Sequence, residues 1–227
     1  MREEQIKLLP IGYSRKFFKV PNKKNQFIAT RKKIRKDLNI HSKSLLITQT
    51  GKLSKDKRPD LTIMASQFQL KQNYGHILFI GPHTKNEKKD LKELFKINKK
   101  ENWEIHFIDN VKFSNLNDFY IASDLLSYPG GASLSCIEGT ASGCSSIVAF
   151  TPEGKLRNQI GIAKVPKDDT DFSFISTLHK SIEEMDNAQR DYKQLFDNAQ
   201  NLSDLVKDFS YESVSISLLE IMKSQLN

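Results

Sequence analysis

Six short apolar segments recur along the chain, and amphipathic stretches separate them. Each is five or six residues long and rich in branched side chains, which is typical of strands buried on both faces of a parallel sheet. They are SLLIT (44–48), HILFI (76–80), EIHFI (104–108), DLLSY (124–128), SSIVAF (145–150) and GIAKV (161–165). The alternation predicts an α/β fold, a Rossmann-like, doubly wound, mostly parallel six-stranded sheet with helices on both faces.

Helix signals fill the intervals between these segments. Proline favours a first helical turn, and Asn or Ser favours the N-cap position. The predicted helices span residues 60–70 after Pro59, 87–97 after Asn86 as N-cap, and 114–122 from Ser114, with a helical tail over residues 172–227. Because no low-complexity linker and no internal repeat interrupts the pattern, we expect residues 1–227 to form one domain.

The formal net charge of +8 is concentrated near the start of the chain. Residues 1–60 contain 17 of the 35 Lys and Arg residues but only 5 of the 27 Asp and Glu residues, and the densest run is RKKIRK (31–36). Nucleic acid, an anionic membrane surface or a phosphate-bearing substrate are possible partners for such a run. The spacing by itself favours a solvated helix face. No aromatic-interleaved basic pattern accompanies the run, so nucleic acid is not expected to be a partner.

Cysteine content and hydropathy predict a cytoplasmic protein. The apolar runs are far shorter than the roughly 18 residues of a membrane span, and the first residues lack the apolar core of a signal peptide. The two cysteines, Cys136 and Cys144, are therefore interpreted as reduced thiols rather than as a disulfide.

The segment PGGASLSCIEGTASGC (129–144) follows the fourth predicted strand, where ligands bind in sheets of this class. Gly130 and Gly131 carry no Cβ and allow a sharp turn with close approach to a ligand. A helix predicted from Ser135 to about Gly143 would direct free backbone N–H groups at an anion. The candidate phosphate-binding amides are those of Ser133, Leu134 and Ser135.

Two interpretations of Glu138 follow from the spacing. Ser135 and Glu138 have the S-x-x-E spacing of a capping box, in which the glutamate binds the start of its own helix and no ligand. The alternative is that Glu138 contacts a bound ligand. Spacing alone favours the capping box.

The segment after the first predicted strand carries two cations. Gly51 ends the strand, Lys52 follows directly, and Lys57 lies five residues later, ahead of the next helix. Two lysines beside a glycine turn can reach a diphosphate from the side opposite a helix N-terminus. A lysine-rich loop in a lysine-rich protein is the simpler interpretation of these charges.

In their order along the chain, these segments resemble the C-terminal, donor-binding half of a GT-B glycosyltransferase of family four (glycosyl transferases group 1). The resemblance covers nearly the whole chain. Its further motifs are LLPIGYSRKFF (8–18), a strand ending in glycine at Gly81, IHFIDNV (105–111), NLNDFYIASD (115–124) and FSYESVSISLLEI (209–221).

The resemblance implies a role for each candidate residue. Lys52 and Lys57 would bind the diphosphate of a nucleotide-sugar donor, together with the amides of Ser133, Leu134 and Ser135. Glu138 would bind the ribose hydroxyls, which reverses the preference for a capping box. The remaining implied donor contacts come from Gly51, Gly130, Gly131, Asp109, Asn110 and Val111, the last three beside the base.

The sequence departs from the family pattern at three places. The family often has a second glutamate eight residues before the first, where this chain has Gly130, and some polysaccharide and lipopolysaccharide members have proline-glycine there instead. Lys52 replaces a more common arginine and lacks its bidentate fork. Asp109 and Asn110 stand where a glycine is common.

The resemblance implies a retaining transfer of a sugar from a nucleotide donor to a saccharide or lipid-linked acceptor, in surface polysaccharide or lipopolysaccharide synthesis. The main catalytic groups are expected on an N-terminal domain that has no counterpart in this sequence, so this chain alone should be nearly inactive. The family is metal-independent, and the five histidines show no metal-ligand spacing along the sequence. The protein is expected in the cytoplasm, with possible peripheral contact with an anionic membrane. Alternatives are a fragment of a GT-B-type sugar-nucleotide epimerase and a non-catalytic basic binding module.

Overall fold

A parallel sheet of six strands forms the centre of the molecule. The computed structural model describes residues 12–65, 74–98, 101–187 and 191–226. The strands are β1 Leu45–Thr50, β2 Gly75–Ile80, β3 Trp103–Ile108, β4 Leu125–Tyr128, β5 Ser146–Val148 and β6 Ala163–Lys164. Their order in the sheet is β3-β2-β1-β4-β5-β6, and every neighbouring pair is parallel. The prediction of a doubly wound, Rossmann-like α/β fold is confirmed.

Helices cover both faces of this sheet. They are α1 Lys24–Asp37, α2 Pro59–Met64, α3 Lys85–Asn98, α4 Leu116–Ala122, α5 Leu134–Ala141, α6 Pro152–Gln159, α7 Asp171–Asn187, α8 Tyr192–Leu205 and α9 Tyr211–Leu226. The predicted helical tail is confirmed over its described residues. Residues 66–70 of the helix predicted over 60–70 and residues 8–11 of the opening motif lie outside the described part of the chain.

Alternate residues of the central strands divide the core in two. Leu45, Ile47, Ile77 and Phe79 face one layer, where α2, α3 and α7 pack. Leu46, Leu78 and Ile80 face the other layer, which α1 and α4 cover. Because both faces are covered, the central strands are largely apolar, and this is why the sequence shows them as nearly continuous runs rather than as alternating patterns.

Three predicted helix starts are wrong by one or two residues. The N-cap of α3 is Thr84 rather than Asn86, because the Thr84 hydroxyl accepts from the Glu87 amide (3.1 Å) and the Glu87 carboxylate accepts from the Thr84 amide (2.7 Å). Ser114 lies inside a short 3-10 turn, and α4 begins at Leu116. The third, α5, begins at Leu134 rather than Ser135.

The basic run 31–36 lies on α1, and half of it is structural. Lys32, Lys33 and Lys36 are exposed, but Arg31 and Arg35 are 3% and 2% exposed. The solvated-face interpretation is therefore wrong for the two arginines. Both pair with the carboxylate of Asp124 at the start of β4, Arg35 at 2.8 Å.

The same cluster satisfies backbone groups where α4 ends. Arg31 donates to the carbonyls of Ile121 (3.0 Å) and Ser123 (2.8 Å), and Arg35 donates to that of Ala122 (3.0 Å). The second oxygen of Asp124 also accepts from the Leu46 amide of β1 at 2.8 Å. One carboxylate thus joins α1, β1 and β4.

No helix within the described ranges is long and apolar enough to cross a membrane.

We expect Asp124→Ala to lower the free energy of unfolding by about 3–5 kcal/mol, because it leaves two buried guanidinium groups uncompensated. Urea denaturation at neutral pH measures this difference. The control is Asp37→Ala, which removes an exposed carboxylate paired with Lys33 on the same helix and should cost below about 0.5 kcal/mol. Equal effects of the two substitutions would contradict the structural role of the Asp124 cluster.

Candidate functional site

The strand order reverses between β1 and β4. From β1 the sheet continues through β2 and β3 on one side and through β4, β5 and β6 on the other. The connections that leave the carboxyl ends of β1 and β4 therefore turn to opposite faces and leave a crevice between them, which is where doubly wound sheets bind ligands. The segment after β1 contains Gly51, Lys52 and Lys57, and the segment after β4 contains Gly130 and Gly131, so the structure brings two of the predicted junctions to this crevice.

These two junctions touch through their backbones. A Cβ built on Gly130 would lie 2.2 Å from the Asp56 carbonyl oxygen and 2.5 Å from the Cα of Lys57. Only glycine fits at such a distance. A glutamate side chain has no room at this position, which gives a physical reason for the departure of Gly130 from the pattern that the sequence resembles.

Other glycines at this edge are also required by the backbone. Gly131 has φ +137° and Gly51 has φ +115°, a region that side chains rarely adopt, and both border open space. A Cβ on Gly81, after β2, would lie 2.0 Å from the Gly51 carbonyl oxygen. The floor of the crevice is therefore bare backbone that a ligand can approach closely.

The loop that carries the two lysines is anchored from below. Gln49 donates from Nε2 to the Lys57 carbonyl (2.9 Å), and its Oε1 accepts from the Thr62 hydroxyl (2.8 Å). These hydrogen bonds hold the backbone at Lys57, while its ammonium group stays half-exposed and lies 3.7 Å from Asp56. Lys52 is exposed and has no ion pair within the described part of the chain. Both cations are available to an anion in the crevice.

The start of α5 lies on the other side of the crevice. Ser133 is its N-cap, and the first turn contains no acidic residue. The amides of Ser133, Leu134 and Ser135 have no hydrogen-bond partner among the described residues. The Ser133 hydroxyl is buried and also has no partner there. This combination is suited to an anion with several acceptor oxygens.

A buried arginine that contacts the start of α5, Arg157, was not predicted from the sequence. Arg157 of α6 is 9% exposed and donates to the Ser133 carbonyl oxygen. It orients the residue that caps α5 and adds positive charge near the helix start. Nothing in the local sequence distinguishes Arg157 from the other cations of a basic chain.

Glu138 is one turn inside α5 and does not form a capping box. With Ser133 as N-cap, Glu138 is the fifth helical residue, too far from the helix start for the reciprocal bond. The residue is 4% exposed, and its carboxylate has no hydrogen bond or ion pair within the described ranges. Burial raises the pKa of Glu138 to about 7.

A network of hydroxyl groups supports the crevice from the sheet. The Thr50 hydroxyl lies 3.1 Å from that of Tyr120 and 3.0 Å from that of Tyr128. Burial and the charge of Glu138 raise the pKa of Tyr120, while hydrogen bonding to the side chains of Thr50 and Ser135 lowers it. The network links the last residues of β1 and β4 to the first turn of α5.

The predicted base-binding residues lie further along the same sheet edge. Asp109 and Asn110 directly follow β3 and are exposed, while Val111 packs on the layer beneath. β3 is two strands from β1, or about 10 Å, so these residues do not join the cluster around Gly130. Asp109 instead lies 2.8 Å from His83 Nε2, and His83 donates from Nδ1 to the Gly81 carbonyl (2.9 Å). His83 is a second side chain at this site that sequence reasoning missed.

Solved structures of similar architecture are GT-B glycosyltransferases. HepE from Anabaena, in complex with UDP and glucose, has a TM-score of 0.69 at 15% identity, covering 98% of this chain and 58% of its own. WaaG, a glycosyltransferase involved in lipopolysaccharide biosynthesis, has a TM-score of 0.67 at 16% identity, covering 95% and 57%. The C-terminal domain of a glycosyl transferase group 1 family protein from Francisella tularensis has a TM-score of 0.61 at 23% identity, covering 86% and 96%.

This chain has the fold of the C-terminal domain of a GT-B glycosyltransferase. It spans a little more than half the length of HepE and WaaG, and nearly the whole of the Francisella domain. No protein-family model matches the sequence, and no curated protein matches it. The expected GT-B resemblance is confirmed at the level of the fold.

We expect the buried carboxylate of Glu138 to make stability depend on pH. Its pKa is raised from 4.5 in the unfolded chain to about 7 in the folded protein. Its contribution to stability is therefore fully present below about pH 4.5 and is lost as the pH rises to about 7. Relative to the wild type, Glu138→Gln should gain stability over this window, by up to about 3 kcal/mol.

Urea midpoints at pH 4.5, 6 and 7.5 measure this gain. Glu153→Gln, at an exposed glutamate of α6, is the matched control and should follow the wild type at every pH. A constant difference between Glu138→Gln and the wild type would show that the carboxylate does not titrate in this range.

Proposed function

We propose that this chain binds the nucleoside diphosphate part of a nucleotide-sugar donor for a glycosyltransferase. The observation that carries the proposal is the contact of Gly130 with the backbone of Lys57 at the switch point. Because this contact brings the lysine-bearing loop against the turn that leads into α5, we infer that the cations and the free N–H groups border one space. The bound UDP in HepE, a structure with the same fold, supports a diphosphate as occupant.

In this proposal each residue acts on one part of the donor. Lys52 and Lys57 bind the diphosphate from one side, and the amides of Ser133, Leu134 and Ser135 bind it from the other. Because the α5 amides and the backbone that carries Lys57 are held in place before the reaction, these groups can stabilise the negative charge that develops as the diphosphate leaves. Glu138 accepts hydrogen bonds from the ribose hydroxyls, and Gly131 and Gly51 allow close approach.

We further propose that the sugar is a hexose, that transfer retains the anomeric configuration, and that the product is a surface polysaccharide or lipopolysaccharide. The stated role of WaaG supports the last point. Residues 1–227 form one donor-binding domain in this proposal, and catalysis requires a second domain that holds the acceptor, so the chain alone transfers little sugar. Donor binding needs no metal ion, since lysines and amides supply the positive charge. The enzyme acts at the cytoplasmic side of a membrane.

A nucleotide panel tests the binding proposal. We expect one of UDP, GDP, ADP, CMP and dTDP to raise the thermal midpoint above the value with inorganic pyrophosphate, which controls for charge alone. A ligand present at ~100 times its dissociation constant adds ~2.7 kcal/mol of stability. Equal effects of all nucleotides and pyrophosphate, together with salt-dependent binding to any polyanion, would favour a basic binding module instead.

The ribose contact has a sharper test, which uses the best ribonucleotide and its 2′-deoxy form. Calorimetry should show the deoxy form binding the wild type at least ~10-fold more weakly, because a hydrogen bond to a charged group is worth ~1.5–3 kcal/mol. In Glu138→Ala, which removes the acceptor altogether, the two forms should bind with similar affinity. The same ratio of affinities in both proteins would remove Glu138 from the ribose site.

Lysine substitutions separate the diphosphate from the nucleoside. We expect Lys52→Ala and Lys57→Ala each to weaken binding of the nucleoside diphosphate by ~10-fold or more and to leave binding of the nucleoside unchanged. Lys43→Ala removes an exposed lysine at the opposite edge of the sheet and should have no effect. Equal losses in all three variants would indicate a general charge effect rather than a site.

A further inference from the structure

A second polar cluster lies at the amino-terminal edge of the sheet, away from the crevice. His76 is the second residue of β2, and Glu104 and His106 are the second and fourth residues of β3. The two strands pair in register, with His76 opposite Glu104. Because side chains alternate along a strand, Glu104 and His106 share a face. The cluster is about 13 Å along β2 from the carboxyl edge that holds the crevice.

The ligand atoms of these three side chains converge on one point. His76 Nδ1 lies 3.0 Å from His106 Nε2. The Glu104 Oε2 atom is 3.8 Å from His76 Nδ1 and 3.9 Å from His106 Nε2. In a tetrahedral zinc site, bonds of about 2.0–2.1 Å place ligand atoms about 3.3–3.4 Å apart. Changes of about half an ångström or less in these distances would bring all three atoms to this spacing.

The donor set selects among metal ions. Two imidazoles and one carboxylate suit Zn²⁺ and similar borderline ions, whereas Mg²⁺ and Ca²⁺ prefer oxygen ligands alone. The histidine side chains are 6% and 20% exposed, while that of Glu104 is 65% exposed. The two histidines are thus held by the sheet, and Glu104 lies on the solvent side, where an ion can enter. This is the one such group of three among the described residues.

The surrounding charges permit a cation. Arg35 on α1 acts electrostatically on His76. Its guanidinium is compensated by Asp124 at 2.8 Å, and the Glu104 carboxylate supplies a negative charge at the site itself.

We propose that His76, Glu104 and His106 bind one Zn²⁺ ion, or a similar borderline divalent ion, which joins β2 to the edge strand β3. The fourth coordination position is open to water. The site is separate from donor binding and acts on the stability of the sheet edge, since an ion that binds only the folded state stabilises it. Sequence spacing did not reveal it, because its members come from two strands and meet only through the register of the sheet.

Titration of the whole chain, prepared without a histidine tag and treated with chelator, tests the site. We expect one equivalent of Zn²⁺ by calorimetry, a rise in thermal midpoint, and tetrahedral visible bands with Co²⁺. Mg²⁺ should produce none of these effects. Glu104→Gln and His106→Gln should weaken Zn²⁺ binding at least ~10-fold, since even second-shell partners of metal ligands are worth ~10–100-fold.

The controls are His41→Gln, at an exposed position, and His179→Gln, whose partner Glu183 offers a two-ligand pair on α7. Both should bind Zn²⁺ as the wild type does. Thermal midpoints without metal confirm that each variant folds, and Glu104→Gln is at an exposed position. Absence of saturable Zn²⁺ binding, or unchanged binding in Glu104→Gln and His106→Gln, would contradict the metal site. The cluster would then be only a hydrogen-bonded pair of histidines beside an exposed glutamate. Nucleotide affinity measured with Zn²⁺ and with chelator should be equal, so the two proposals can fail separately.

Discussion

The close approach of Gly130 to the backbone of Asp56 and Lys57 determines the geometry of the crevice. A parallel sheet by itself only places the ends of β1 and β4 side by side. Because Gly130 has no side chain, the loop after β1 can lie directly against the turn after β4. The free amides of α5 and the lysine-bearing loop consequently border the same space. Gly130, at the position where a second glutamate could stand, instead contributes a backbone contact that holds the two loops together.

The opposite end of the same strand pair is fixed by charge. Asp124 directly precedes β4 and binds Arg31, Arg35 and the Leu46 amide, so α1, β1 and β4 are joined at the amino edge. β1 and β4 themselves pair through only two residue pairs. A buried ion cluster at one end and a glycine contact at the other hold this short strand pairing in register. The same two contacts therefore also position the loops that border the crevice.

The sequence predicted those features that depend on local pattern. All six strands were identified because a strand buried on both faces is continuously apolar, as in HILFI of β2. Helix starts were less certain where several capping residues compete, as Ser133 and Ser135 do before α5, since the choice depends on how the chain leaves β4. The burial of Arg31 and Arg35 could not be predicted, because their partner Asp124 lies about 90 residues away. Arg157, His83 and the cluster of His76, Glu104 and His106 were missed for the same reason, as each depends on which elements the fold places side by side.

Two polar side chains at α5, those of Ser133 and Glu138, have no hydrogen-bond or ion-pair partner among the residues that the structure describes. The Ser133 hydroxyl is buried without a hydrogen bond in the described part of the chain. Glu138 is 4% exposed, and no cation pairs with its carboxylate within the same ranges. Such groups lower the stability of the folded protein, so each calls for an explanation. A donor diphosphate supplies acceptor oxygens for the first, and ribose hydroxyls supply hydrogen-bond donors for the second. The two groups lie on the helix that borders the crevice, one at its start and one a turn further in, and a single nucleotide lying along that helix would satisfy both. This matching of unsatisfied groups to one ligand supports the donor-binding proposal independently of the likeness in fold.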